Sequence, residues 1–477
     1  MKATSLGWAI LVPSLAAAMG WGIRGQYGHE TGAMIAGCLA SLAMVLACAP
    51  HLSSLTGARA AALMTVGIGI GGAMTYGQTV GLTHDADMVG NWGALRWGML
   101  GLAVKGSLWI GFGGVMLGMG LGGVRYRVTE VALLMLAAAG LYYLGLWLIN
   151  SPYDPAKLVV PRIYFSETAE FRPGPNLKPR REVWGGLLLA WLGLMAYVRG
   201  ARQDRLAFRL GWFALLAGAL GFPGGQCVQA CHAWNPELFQ ASRWKEYFAM
   251  FNWWNMMETT FGAIWGAVLG AGLWWNRHLI APAAAEESVS CSPPWEAGLV
   301  AAHLVLLLSS EFAEFPGGGH VVELYTNDSL WMTMIPVLGI IGGRAWPYLL
   351  LFPIVAAPIC GKSLRALVYG SPQLSGGDGW LWSAALPLAV LSYAAVAWMM
   401  RGLSRESAGR FAAQGLLLTT WIYFLLNTIF FDFAWPWQTW TGRTPNQILF
   451  MLCALVITGF CLRALGRGRD LMARSAA

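Results

Sequence analysis

Several groups of ionisable residues stand against apolar runs in this sequence, where an unanswered charge is costly. The first is Arg24-Gly-Gln-Tyr-Gly-His29-Glu30, between the first two apolar runs. A guanidinium offers a rigid fork of donors that fits carboxylates and phosphates. An imidazole beside a carboxylate can take or give a proton near neutral pH. Together the three would form an anion clamp with a protonatable pair, or Arg24 would simply pair with Glu30 at a membrane boundary.

Lys105 and Glu258 pose the same question deeper in the chain. Lys105 falls about two helical turns inside one apolar run and Glu258 about one turn inside another, so each needs a partner or water. They would pair with each other, or with Glu30 and Asp85, as a functional site or as a structural buried ion pair. Glu311, Glu314, His320 and Glu323 form the densest carboxylate–imidazole group. His320 and Glu323 share one face if their segment is helical, which suits a divalent cation or a proton relay. His-x-x-Glu is a weak metal motif, and no His-Glu-x-x-His or Cys-x-x-Cys accompanies it, so no particular metal is assigned.

Other motifs point to less. Cys227-Val-Gln-Ala-Cys231-His232 has one residue too many for haem attachment and reads as a local disulfide or two ordinary thiols. Cys38, Cys48, Cys360, Cys453 and Cys461 lie in or at the ends of apolar runs, as small hydrophobes do. His84, Asp85, Asp87, Asn91 and Arg96 make a polar loop. A second, Asp432 to Arg443, carries Phe433, Trp435, Trp437 and Trp440, which would stack on a sugar but more simply anchor at an interface. There is no phosphate loop, nucleophile elbow, kinase set or dinucleotide fingerprint, so the reading assigns no cofactor and disfavours ATP-driven transport by this chain alone.

The elements that must position these residues are membrane helices. Of 477 residues, 57% are hydrophobic and 11% charged, too little polar surface for a soluble globule. Apolar runs near 8–23, 31–50, 60–80, 99–123, 129–149, 184–199, 210–226, 253–276, 297–315, 330–343, 345–361, 380–400, 411–431 and 447–464 predict an all-α bundle of about 12–14 crossings. The runs at 8–23, 184–199 and 330–343 are short enough to be half-helices. Glycine-rich stretches at 67–72 and 111–123 read as helix-packing surfaces. Lysine and arginine concentrate in alternate loops: Lys2, Arg59, Arg125, Arg127, the cluster at 199–209, Arg277, Arg344 and Arg401. The positive-inside rule then puts both termini in the cytoplasm, in the reading of a bacterial inner-membrane protein whose first helix is retained. The net charge of +8 is a topology signal of this kind and not a nucleic-acid surface. Segment 150–183 is expected to be an outer loop or lid, and 279–296 a cytoplasmic linker.

Three places repeat one local grammar of aromatic, glycine cluster and polar residues: 20–30, 221–229 with Gln226, and 314–323. The segment 431–440 holds an equivalent place without the glycines, and the helix around Lys105 can be laid on that around Glu258. The expectation is a decayed parallel duplication, with possible halves 1–200 and 201–477. Its glycine-broken helices would gather Arg24, His29, Glu30, Lys105, Gln226, Glu258 and the 311–323 group around one outward cavity. The leading functional expectation is a secondary transporter, proton- or sodium-coupled, for a small polar or anionic solute such as a sugar derivative, with the lipid bilayer and that solute as partners. The alternatives are a membrane-embedded enzyme acting on a lipid or lipid-linked sugar, and an accessory subunit of a membrane complex.

Overall fold

A computed structural model describes residues 5–172, 177–281, 291–312, 329–370, 373–402, 406–431 and 440–476. Among the described residues there is no strand, only two isolated bridges; the fold is all-α. The helices are α1 (Leu6–Arg24), α2 (Glu30–Cys48), α3 (Ser54–Ile70), α4 (Gly77–His84), α5 (Trp92–Leu121), α6 (Val128–Leu148), α7 (Trp184–Ala196) and α8 (Arg205–Trp234). After them come α9 (Trp253–Trp275), α10 (Pro293–Phe312), α11 (Ser329–Gly342), α12 (Trp346–Gly370), α13 (Gly376–Gly402), α14 (Ala408–Phe430) and α15 (Thr444–Ala476). Side-chain caps start several of them. The Asn91, Asp204, Asn252 and Ser407 side chains accept from the backbone N–H three residues on, which answers donors the first turn leaves unpaired.

Ten of the described helices are long and apolar enough to cross a membrane, so the chain is a multi-pass integral membrane protein. α9 is not among those ten, yet it runs antiparallel along all of α1. Asn255 meets Gly22 at one end, Gly266 meets Pro13, and Gly270 meets Ala9 at the other. It therefore crosses with its neighbour.

Six helices close a ring. α1 packs on α2, α2 on α3, α3 on α5, α5 on α8, α8 on α9, and α9 returns to α1. Their directions alternate around it. The seams are close because small residues face each other: a Cβ on Gly218 of α8 would fall on the Gly106 carbonyl of α5, and one on Gly262 of α9 on the Ala17 carbonyl of α1. Such backbone approach is how membrane helices gain packing energy without a hydrophobic driving force. α12, α14, α15 and the α6–α7 pair lie outside the ring, and between ring and jacket α2 is buried along its whole apolar length.

Two expectations about glycine are corrected here. Phe222-Pro-Gly-Gly does not break a helix; α8 runs through Pro223 without interruption. Gly221 and Gly225 let α8 press on Phe261 and Met257 of α9, so they serve packing. The stretch 67–72, by contrast, does contain a break. α3 stops at Ile70, a single 3-10 turn covers Gly71–Ala73, and the chain restarts as α4. Gly71 abuts Trp109 and Gly72 abuts the Glu30 backbone, where any side chain would collide. Of the two described motifs, 20–30 is interrupted as expected and 221–229 is not; 314–323 lies outside the described residues.

The ring accounts for a graded response to added volume. Gly218→Val should destabilise the detergent-solubilised protein by about 3 kcal/mol or more, the top of the usual overpacking cost, because backbone must move. Gly140→Val, on an open face of α6, should leave thermal stability and size-exclusion profile nearly unchanged.

Candidate functional site

The interrupted ends of α1 and α3 come together at one end of the ring. α1 stays helical to Arg24, and residues 25–29 then turn the chain into α2. Gly28 sits at φ +82°, a left-handed conformation that favours glycine, and a Cβ there would meet the Lys362 ammonium. Lys362 of α12 donates to the Tyr27 carbonyl at 2.5 Å and to the Thr31 hydroxyl at 3.1 Å, fixing the turn from outside the ring.

Arg24 is only 1% exposed. Its Nη2 donates to the Tyr76 hydroxyl at 2.8 Å and to Glu258 Oε1 at 3.1 Å. Three rings surround the guanidinium, with centroids 4.7 Å (Trp21), 5.0 Å (Trp109) and 5.7 Å (Tyr76) away, within cation–π range. Nε and Nη1 are buried and make no hydrogen bond to the protein. The charge is thus held by four elements while part of its donor fork is unused.

Glu258 is equally enclosed. Its Oε1 also accepts from Trp254 Nε1 at 3.3 Å and from the Tyr76 hydroxyl at 3.4 Å. Asn255 Nδ2 reaches Oε2 at 3.5 Å and donates to the Gly22 carbonyl at 2.5 Å, tying α9 to α1 beside the ion pair. His29 stands over the same group, its ring 5.1 Å from that of Tyr76 and 6.0 Å from that of Trp109. Its ring edge reaches solvent, but surrounding protein, then the positive charges of Arg24, Lys362 and Arg180, push its pKa below the ordinary imidazole value. At neutral pH it is therefore an uncharged donor and acceptor. Glu30 begins α2 against Gly72 and contributes a negative charge near Arg24.

Beneath Arg24 the ring is filled. Trp21 meets Trp109, Phe261 and Trp265, and Phe222 stacks on Phe261 at 4.7 Å. This aromatic plug separates the Arg24 site from the opposite, arginine-rich end, where Arg125, Arg127, Arg199, Arg277 and Arg344 lie in the connections between helices and Arg205 begins α8.

Lys105 belongs to a different group, and the expectation that it pairs with Glu258, Glu30 or Asp85 is corrected. Its Nζ donates to Glu182 Oε1 and to the Thr79 hydroxyl, both at 2.7 Å. Glu182 also accepts from the Ser166 hydroxyl, the Phe165 backbone and Trp184 Nε1. With both charges answered, this is a buried clasp that holds segment 150–183 against α4 and α5. The Thr75 hydroxyl donates to the Arg181 carbonyl, so the clasp lays residues 177–182 beside the α3–α4 break. Arg172 anchors the rest of the segment, 2.6 Å from Asp85, 3.0 Å from Asp87 and 3.4 Å from Glu167. Gln226 Nε2 donates to the Thr83 hydroxyl at 2.6 Å, tying α8 to α4, and its Oε1 is buried without a hydrogen-bond partner.

Among the sequence-predicted residues, Arg24, His29, Glu30 and Glu258 converge, whereas Lys105 and Gln226 serve neighbouring contacts. Glu311 falls in the last turn of α10, and Glu314, His320 and Glu323 lie outside the described residues. Tyr76, Trp254 and Asn255 were missed because each looks like an ordinary helix-end aromatic or amide, and Trp109 because it looks like an ordinary aromatic inside an apolar run. Glu182 looked like one charge in a polar run, although it is the carboxylate abutting the apolar run that follows. Cys227 and Cys231 are exposed free thiols one helical turn apart on α8, and the five apolar-run cysteines are buried. Among the described residues, no three His, Cys, Asp or Glu side chains gather as a metal site.

Compared with known protein families, curated proteins and solved structures, the chain shows no match to any of them.

The clasp makes a separable prediction. Lys105→Met leaves Glu182 buried without its counter-ion and should cost about 3–5 kcal/mol, while Lys105→Met with Glu182→Leu should recover most of it. Thermal unfolding in detergent, together with protease access to segment 150–183, reads both effects.

Proposed function

We propose that this protein is a secondary transporter for a small anionic solute, such as an acidic sugar derivative, with Arg24 as the solute's charge partner. The observation that carries the reading is the buried Arg24 guanidinium: two of its nitrogens have no hydrogen-bond partner, and Trp21, Trp109 and Tyr76 enclose it. A carboxylate or phosphate would engage one spare nitrogen, Nε or Nη1, and become bidentate only through Nη2, in competition with Tyr76 and Glu258. His29, neutral and at the open side, would hydrogen-bond an uncharged part of the solute.

The ion pair supplies a route to coupling. An anion that engages Arg24 weakens its hold on Glu258, and an uncompensated carboxylate among aromatics is strongly unfavourable. Glu258 would then take a proton or a sodium ion, so that anion and cation travel together. The aromatic plug would act as the gate toward the opposite end, and segment 150–183, clasped by Lys105 and Glu182, as part of the frame on the near side. The positive-inside rule, applied to the short connections, would put the arginine-rich end in the cytoplasm and orient the Arg24 site outward.

Proteoliposomes tested against a library of labelled sugar acids, sugar phosphates and small carboxylates, with and without a proton or sodium gradient, should show gradient-dependent uptake of an anionic member. Arg24→Gln should weaken binding of that solute about ten- to a hundred-fold, the range of one or two charge-assisted hydrogen bonds, with Arg24→Lys intermediate. Glu258→Gln should keep binding but lose the gradient dependence. Uptake that persists in well-folded Arg24→Gln protein would overturn the reading. So would turnover of a lipid-linked sugar with no uptake of any solute.

A further inference from the structure

At the opposite end of the molecule, an open groove of about 790 Å³ lies between the start of α6 and the end of α7. Its two parts differ in chemistry. The mouth carries Arg125, Arg127 and Arg202, and the wall is Leu133, Leu134 and Ala137 of α6. Leu133 is 69% exposed, on the same outward apolar face as Leu136, Leu144 and Trp147. The wall therefore continues onto the lipid-facing surface of a membrane-spanning helix.

The mouth is built and not a chance meeting of surface arginines. α7 ends in a π-helical turn, Tyr197–Ala201, and Gln203 takes the uncommon φ of +53° before Asp204 caps α8. This places Arg202 across the α5–α6 connection. It donates to the Arg125 carbonyl, lies 3.5 Å from Glu130, and stacks over the Tyr126 ring at 5.6 Å. Tyr126 in turn donates to Asp204 at 2.7 Å. Arg202 Nε remains buried without a hydrogen-bond partner, and Arg125 and Arg127 extend into solvent. Three arginines at the mouth face one carboxylate, Glu130, which Arg202 already holds.

We propose that this groove binds one anionic phospholipid, its phosphate at Arg125, Arg127 and Arg202 and its acyl chain along Leu133, Leu134 and Ala137. Charge selects the headgroup, and the continuity of the apolar wall with the helix's lipid face selects a lipid over a free anion. Basic clefts between membrane helices on the arginine-rich side are suited to such headgroups. The site is remote from Arg24 and does not depend on the transport reading.

The test is native mass spectrometry of the full-length protein in detergent, with dioleoyl phosphatidylglycerol, dioleoyl phosphatidylcholine or inorganic phosphate added. One phosphatidylglycerol should be retained in preference to phosphatidylcholine. Arg125→Gln combined with Arg127→Gln should weaken that retention about ten- to thirty-fold, at the usual contribution of a surface arginine to anionic-lipid binding. Ala137→Trp, which fills the wall and leaves every arginine in place, should also displace the lipid. All three residues are exposed, so size-exclusion profiles of the variants should match the parent. Equal retention of both lipids, or phosphatidylglycerol binding unchanged in the variants, would overturn the proposal. Loss in the arginine variant but not in Ala137→Trp, or phosphate binding as tightly as the lipid, would overturn the lipid assignment by reducing the site to an anion patch.

Discussion

A charge buried among membrane helices must be answered by the protein itself, and the Arg24–Glu258 pair is where this chain meets that demand most directly. Arg24 closes α1 and Glu258 lies in the first turns of α9, more than two hundred residues away in the chain. Either charge left alone in that position is costly. The pair therefore fixes how α1 meets α9, which is the seam that closes the six-helix ring. Tyr76 joins it from the α3–α4 break, Trp109 from α5 and Trp254 and Asn255 from α9, so the ion pair sets the register of most of the ring at one end.

Close backbone packing and bulky aromatics divide the remaining work. Glycines at the seams of α5, α8, α9 and α1 bring the helices near enough for dispersion and backbone contacts to hold them. The same proximity leaves an interior just wide enough for Trp21, Trp109, Phe222, Phe261 and Trp265. These rings fill the centre and give the guanidinium a π-rich surround. Held by the Lys105–Glu182 clasp, segment 150–183 adds a second buried charge pair whose role is to fix an extramembrane segment against the ring. The two pairs resemble each other in burial and differ in satisfaction. Every charge in the clasp is answered, while Arg24 keeps unused donors. That difference is what separates a structural pair from a candidate binding group.

Much of this was legible in the sequence, and what was missed has physical causes. Composition and run length sufficed for an all-α membrane bundle, since a segment that long and apolar has few other stable fates. The ionisable residues inside or beside those runs drew attention to Arg24, His29, Glu30 and Glu258, which the fold brings together. Partner choice was not legible, because it depends on which helices share a seam. Lys105 and Glu258 sit at analogous places in sequence yet face different parts of the ring. Glycine grammar misled for a related reason: Gly221, Gly224 and Gly225 look like a break, but a proline can persist in a membrane helix when neighbours close around it. The break at 71–76 was hidden inside a run apolar enough to pass for one helix.

The central claim is that Arg24 binds an anion at the expense of its bond to Glu258. A cryo-electron microscopy comparison of the protein in lipid nanodiscs, with and without a saturating anionic solute from the uptake screen, tests it most directly. The account predicts added density against Arg24 Nε or Nη1, bordered by His29, with the separation between Arg24 Nη2 and Glu258 Oε1 increased beyond 3.1 Å. Solute density elsewhere, with the Arg24–Glu258 bond and its aromatic surround unchanged, would contradict it.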